Sequence, residues 1–255
     1  MKIAIAGKGG VGKTTLAGLL ARRFAASGRR VLAVDADPDA NLASALPLDA
    51  PGREIVPLAA SREIIDGLTG RDLSPGFILL NADVADTLSE FQVPWGGGHG
   101  LLVLGWHKAG GQGCYCAENT VLRRVLGLVF TRPGDVVIVD GEPGLEQLSR
   151  GAIEAVDALV VVLEPGRRSV QSARDIRRLA SDLGIKTVLP VLNGSRSKRD
   201  AEEVQRALGD WPLAATLPHR DDLGRADLEG RVPVLDDALA AAADRIIARL
   251  SEPRP

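Results

Sequence analysis

Aromatic side chains are scarce: Phe, Trp and Tyr together make up 3% of the 255 residues. A platform that stacks single-stranded bases needs more of them, so that class of binder is not expected. No apolar stretch approaches the ~20 residues that cross a bilayer as a helix; runs such as Ala158–Leu163 have the length of a strand. Neither sign of charge dominates, with 31 Lys and Arg against 33 Asp and Glu and a net charge of -2. A chain that binds nucleic acid along its whole surface is normally basic. Cysteine is almost absent. The two present, Cys114 and Cys116, are next-but-one neighbours, and a bond between them would close too short a loop to stabilise much. Thiols that staple nothing suit a reducing compartment. The N-terminus, Met1 to Ala6, reads as a strand without an apolar h-region or cleavage site. A cytoplasmic location is therefore expected, with no nucleic-acid and no membrane partner.

The composition that remains is that of a globular chain, 45% apolar and 25% charged. Continuous Val/Ile/Leu/Ala runs recur at Lys2–Ala6, Arg30–Asp35, Phe77–Asn81, Leu101–Gly105, Val136–Asp140, Ala158–Leu163, Thr187–Asn193 and Ala214–Leu217. Such runs suit parallel strands covered on both faces. Helix-period segments alternate with them at Thr14–Ser27, Asn119–Thr131, Ser169–Leu183, Ala201–Leu208 and Val234–Leu250. The alternation predicts an α/β fold, a doubly wound, mostly parallel sheet with helices on both faces, and one domain over residues 1–255. Asp49–Gly76 reads as an insertion or short helical layer, and Phe91–Gly113 as a loop and short strand on the surface.

Gly7-Lys8-Gly9-Gly10-Val11-Gly12-Lys13-Thr14 satisfies the G-x-x-x-x-G-K-[ST] pattern between an apolar strand and a helix. That is the context of a phosphate-binding loop. Backbone N–H groups of Gly9, Gly10, Val11, Gly12, Lys13, Thr14 and Thr15 would form an anion nest, strengthened by the positive end of the helix. Lys13 would neutralise the β and γ phosphates of ATP, and the Thr14 hydroxyl would ligate Mg²⁺. Two strands end in carboxylates. Val34-Asp35-Ala36-Asp37-Pro38-Asp39-Ala40-Asn41 puts Asp35 and Asp37 beside the loop by the switch-point rule, with Asp35 near Mg²⁺ but behind its direct ligands; Asp39 or Asn41 could equally cap a following helix. Asp135–Asp140 is an apolar strand ending in an aspartate, so Asp140 would hold Mg²⁺ through a water. Gly144, just beyond, can offer its N–H to the γ-phosphate, which would let that loop differ between ATP and ADP states. Glu142 and Glu146 are either ligands that such a change would move or plain loop charges.

The additional lysine in Lys8-Gly9-Gly10-Val11-Gly12-Lys13-Thr14-Thr15 resembles the deviant P-loop of the MinD/ParA and nitrogenase-iron-protein superfamily. The resemblance implies a nucleotide-sandwich homodimer in which Lys8 reaches the partner's phosphates, as an arginine finger would. It also implies that Asp37, the aspartate before proline, positions the attacking water. Asn193, at the end of a strand, is similar to the superfamily's adenine-contacting asparagine. Pro218 and the loop after it would line the base pocket.

Gly110-Gly111-Gln112-Gly113-Cys114-Tyr115-Cys116-Ala117-Glu118-Asn119 places both thiols of the chain in a glycine-rich stretch before a helix. A helix N-terminus favours the thiolate, the metal-binding form. A closed tetrahedral site needs four ligands. A second copy, His99, His107 or a carboxylate could complete it, and a symmetric dimer would give two plus two. Thiolates suit Zn²⁺, and a planar or distorted site would suit Ni²⁺.

That segment, with Asp140-Gly141-Glu142-Pro143-Gly144-Leu145-Glu146-Gln147-Leu148-Ser149-Arg150-Gly151 and Ala226-Asp227-Leu228-Glu229-Gly230, resembles the CooC-type ATPases. The resemblance spans nearly the whole chain. It implies an ATP-hydrolysing metallochaperone that binds nickel or zinc through Cys114 and Cys116 at a dimer interface. Its client would be a carbon monoxide dehydrogenase-like enzyme. Gly141 and Pro143 depart from the family's form, which leaves the client open. Two other readings stand beside it: a ParA/MinD positioning ATPase, and an iron–sulfur carrier of the Mrp type. The nitrogenase iron protein fits less well, because its cluster needs another cysteine far downstream. The three histidines and three tryptophans read as packing or loop residues.

Overall fold

A computed structural model describes residues 1–69, 88–105, 116–128, 133–141 and 156–252. Strands β1 (Lys2–Gly7), β2 (Val31–Asp35), β3 (Val93–Trp95), β4 (His99–Val103), β5 (Val136–Asp140), β6 (Ala158–Leu163), β7 (Thr187–Ser195) and β8 (Ala215–Pro218) join one sheet. Its order is β3-β4-β2-β5-β1-β6-β7-β8. Every pairing is parallel except β3 with β4. The helices are α1 (Lys13–Ala26), α2 (Arg62–Thr69), α3 (Cys116–Leu128), α4 (Arg167–Asp182), α5 (Lys198–Leu208), α6 (Asp221–Leu228) and α7 (Asp237–Ser251).

The strand period of two divides the core. In β1, Ile3 and Ile5 point to one face and join Leu16, Leu20 and Phe24 of α1 and Ile246 of α7. Ala4 and Ala6 point to the other and join Val121 and Val125 of α3 and Ile176 of α4. Both faces are covered, so the central strands contain no outward polar position, which is why they read as continuous apolar runs. Helix α1 lies close to the sheet and to the 3₁₀ turn Leu42–Ala45, with Gly18 directly against Ala45.

Several elements differ from expectation. Strand β4 begins at His99, two residues before the expected Leu101. It forms a hairpin with β3 through Gly96, Gly97 and Gly98, all at positive φ. The segment is not a surface loop at this point: Trp95 is fully buried and its ring lies 4.6 Å from that of His99. Antiparallel pairing at the sheet edge gave the buried indole a place that sequence period could not reveal. Helix α3 starts three residues before the expected Asn119, and the loop expected after Pro218 contains α6. Eight residues with an internal glycine carry little helical pattern, yet Asp221 and Asp222 in its first turn favour the positive end of the dipole. Helix α2 occupies the expected short helical layer. The expected strand Phe77–Asn81 lies outside the described residues.

The close approach of α1 to the 3₁₀ turn gives a stability test. A Cβ at Gly18 would collide with the Ala45 side chain and sit 2.9 Å from its carbonyl oxygen. Gly18→Val should lower unfolding stability by about 1–3 kcal/mol, measured by urea denaturation.

Candidate functional site

The sheet brings the charged residues together. β1 lies between β5 and β6, and β5 between β1 and β2. Ile5 is in register with Asp140, and Asp140 with Asp35. The loop leaving β1 therefore passes directly beside two strand-ending carboxylates. Gly12 stands at the N-cap of α1 with φ 88°, a left-handed conformation that glycine adopts without strain. No side chain caps α1, and its first turn holds no acid. Its leading N–H groups are thus left for an outside acceptor, as in helix-terminal anion sites.

Lys13 is buried to 6% exposure. Burial pulls its pKa below the usual value, and the negative charges of Asp140 and Asp37 push it back up. Asp140 is 1% exposed, and neither carboxylate oxygen has a hydrogen bond. Burial raises its pKa to about 6; the Thr14 hydroxyl and then the Lys13 charge oppose that rise, and Asp37 adds to it. A buried carboxylate with two unused oxygens calls for a cation or a donor. Among the described residues no group of three or more His, Cys, Asp or Glu could hold a metal ion alone. The donor set instead suits Mg²⁺, which takes one or two protein oxygens and completes its shell with phosphate and water. Thr14 and Asp140 fit that need.

Asp35 is fully buried and has different work: Oδ1 accepts from the Asp37 N–H at 3.2 Å and Oδ2 from the Leu42 N–H at 2.8 Å. Burial raises its pKa to about 7, against those two bonds, with smaller upward contributions from Asp140 and Asp37. Asp37 is half-buried, and its Oδ1 accepts from the Asp39 N–H at 3.0 Å. A cleft of about 420 Å³ opens in front of these groups. Gly10, Gly12, Lys13, Thr14, Thr15, Asp37 and Asp39 line one side. Leu223, Gly224, Asp227, Arg231 and Pro233 line the other.

Lys8 and Gly9 are exposed at the tip of the loop, whereas Val11 is buried beneath it. Asn193 braces the loop: its Nδ2 donates to the Val11 carbonyl at 2.9 Å. Pro218 pairs in register with Ser195 at the same end of the sheet. Neither Asn193 nor Pro218 is among the residues that wall the cleft. That wall comes from α6 and the segment after it, held by Arg22 of α1, which donates to the Pro233 carbonyl at 2.6 Å. The sequence reading noted Asp227 for resemblance alone and missed Leu223, Arg231 and Pro233. The acidic pair opening α6 was the available signal. Cys116 is the first residue of α3; Cys114, His107, Glu142, Gly144 and Glu146 lie outside the described residues.

The family model for the CobQ/CobB/MinD/ParA nucleotide binding domain matches residues 2–234. The carbon monoxide dehydrogenase accessory protein CooC of Rhodospirillum rubrum is 40% identical over 90% of this chain and 88% of its own length. An uncharacterised ATP-binding protein of Methanocaldococcus jannaschii is 34% identical over 96% of each chain. Among solved structures, the septum site-determining protein MinD of Pyrococcus horikoshii, complexed with Mg-ADP, superposes with a TM-score of 0.68. It has 22% identity over 98% of this chain and 96% of that one, and supports the fold.

Two consequences can be measured. A Cβ at Gly12 would run into Asn193 Nδ2 and would hold the N-cap in a strained conformation. Gly12→Ala should weaken ADP binding by about 1–3 kcal/mol, read by calorimetry. The second concerns pH. Asp35 and Asp140 have folded pKa values above the ordinary 3.8, so the folded state holds protons that the unfolded chain has released. Stability is then lost as pH rises through about 6 and 7. The melting temperature of nucleotide-free protein should fall by a few degrees between about pH 6.5 and about pH 8, and Asp35→Asn should remove most of that fall. His99, held low by burial, acts in the opposite sense at lower pH.

Proposed function

The chain belongs to the CobQ/CobB/MinD/ParA nucleotide-binding family and, within it, to the CooC-type ATPases, and from that membership we propose that it uses ATP hydrolysis to deliver nickel into a carbon monoxide dehydrogenase-like client. ATP hydrolysis is the activity of the family. The delivery reading rests on the 40% identity with CooC taken together with the two cysteines, both in one Cys-x-Cys after glycines.

In this reading, residues 1–255 act as one domain. The N–H groups of Gly9 to Thr15 and the Lys13 ammonium hold the phosphates. Asp37 orients the attacking water, and the developing charge on the transferring phosphoryl group is met by Lys13 and by Lys8 of a second copy. Lys8 is exposed, as a residue that reaches across an interface must be. Thr14 and Asp140 would hold Mg²⁺, which would supply charge neutralisation to the phosphates. Asn193 and Pro218 read the base, and the Gly144 N–H senses the γ-phosphate. Cys114 and Cys116, paired with their mates across a twofold axis, carry the cargo ion. Closure of the ATP-bound dimer favours that four-sulfur arrangement, and hydrolysis loosens it. A positioning role of the MinD or ParA kind draws on fold likeness, which many functions share.

Size exclusion with metal analysis tests the delivery function. Wild-type protein with ATP and nickel should run as a dimer carrying about one ion per two chains. The Cys114→Ser/Cys116→Ser protein should carry none while still binding ADP. Unchanged metal content in that variant refutes the cysteine site, and Lys13→Ala should abolish nucleotide binding in both backgrounds.

A further inference from the structure

The segment between β2 and the turn Leu42–Ala45 carries Asp37, to which the proposed function assigns the attacking water. One buried side chain holds that segment at both ends. Asp35 Oδ1 accepts from the Asp37 N–H at 3.2 Å, and Oδ2 from the Leu42 N–H at 2.8 Å. The carboxylate is itself fixed to the sheet, because the Asp35 carbonyl accepts from Leu104 N–H at 2.9 Å and Ala36 N–H donates to the Asp140 carbonyl at 2.9 Å. Leu42 is fully buried and anchors the far end in the core.

The turn between these two anchors would not choose its shape unaided. Ala40 has φ 46°, and it is the sole non-glycine residue at positive φ among the described residues. Left-handed backbone is unfavourable for an alanine, because its Cβ approaches the following carbonyl. Its N–H donates to the Asp37 carbonyl at 3.0 Å, and the Asp39 N–H to Asp37 Oδ1 at 3.0 Å. The bonds around Asp37 therefore depend on a strained turn that the two Asp35 bonds keep closed. Strain of this kind persists where surrounding contacts over-determine it.

We propose that Asp35 is a positioning residue for hydrolysis: its carboxylate clamps the Asp37–Leu42 turn at both ends and so fixes Asp37 in the cleft, without touching the nucleotide. This deepens the proposed function and rests on its assignment of Asp37. The phosphates are held from the other side, by the loop leading into α1. Turnover and nucleotide binding should therefore separate. Asparagine is the informative replacement. It has the same shape but a single acceptor oxygen, and it presents an NH₂ donor where the second N–H needs an acceptor. One end of the turn is released while a buried charge is removed, so the fold should persist.

The experiment measures steady-state ATP hydrolysis and the Kd for Mg-ADP on the full chain. Asp35→Asn should lower kcat about 10- to 100-fold and leave the Kd within about threefold. Adding Ala40→Gly, which removes the cost of the left-handed residue, should recover about threefold or more of the lost kcat. Ala40→Val is a second probe that keeps the carboxylate and strains the same turn; it should lower kcat with the Kd unchanged. A parental kcat in Asp35→Asn overturns the proposal. So does a loss of ADP binding in step with kcat, or the absence of any recovery with Ala40→Gly. Asp37→Ala tells the two levels apart. If it abolishes hydrolysis while Asp35→Asn stays active, the clamp is wrong and the role of Asp37 stands. If Asp37→Ala is itself active, the assignment of Asp37 fails and the clamp falls with it.

Discussion

An ammonium group buried at the start of a helix is costly unless negative charge lies beside it. Lys13 meets that constraint with Asp140 and Asp37, and the rest of the site follows from it. The carboxylates are in place because β5 lies between β1 and β2, with Asp140 in register with both Ile5 and Asp35. Burial raises the pKa values of Asp35 and Asp140, and the negative charges of neighbouring acids add to that rise. The cluster is left unbalanced, with uncapped N–H groups at α1 and unused oxygens on Asp140. Phosphate and a divalent cation, arriving together, complement both ends of that imbalance. A preorganised site of this kind does not need to reorganise its dipoles when charge develops on the substrate.

The opposite wall of the cleft is joined to the same helix. Arg22 of α1 reaches the Pro233 carbonyl. Arg220, just ahead of α6, forms a two-bond pair with Asp222 and also binds Asp236, the N-cap of α7. The segment from Leu223 to Pro233 is therefore tied to α1 and to the start of α7, the two helices that cover one face of the sheet. The short helix keeps its acidic first turn toward its own N-terminus and gives Asp227 to the cleft.

The resemblance read from the P-loop and the Cys-x-Cys stretch agrees with the family found by comparison. Central strands were legible because both faces are covered, which leaves long apolar runs with little ambiguity. Edges were harder. The β3–β4 hairpin depends on three consecutive glycines and on a partner strand, and its buried Trp95 stands in a stretch that resembles a loop. Helix α6 is too short and polar for its period to show. In the site, the loop glycines, Lys13, Thr14, Asp37 and Asp140 follow from strand-end position and motif spacing. The clamp from Asp35 to Leu42 joins residues 7 positions apart and the brace from Asn193 to Val11 joins residues 182 apart, and neither these nor Asp227 and Arg231 in the cleft wall follow a period that the sequence displays.

From the chain alone came the alternation of strands and helices, the phosphate loop, and the carboxylates at strand ends, because each is a local pattern of residue type and spacing. Tertiary structure decided which carboxylate is left bare and which is bonded. Asp35 and Asp140 are alike in sequence, each ending an apolar strand, yet one meets two backbone N–H groups and the other meets none. That difference arises from how the turn after β2 folds back on its own strand and brings the Asp37 and Leu42 N–H groups to Asp35, a backbone path that residue type and spacing do not encode.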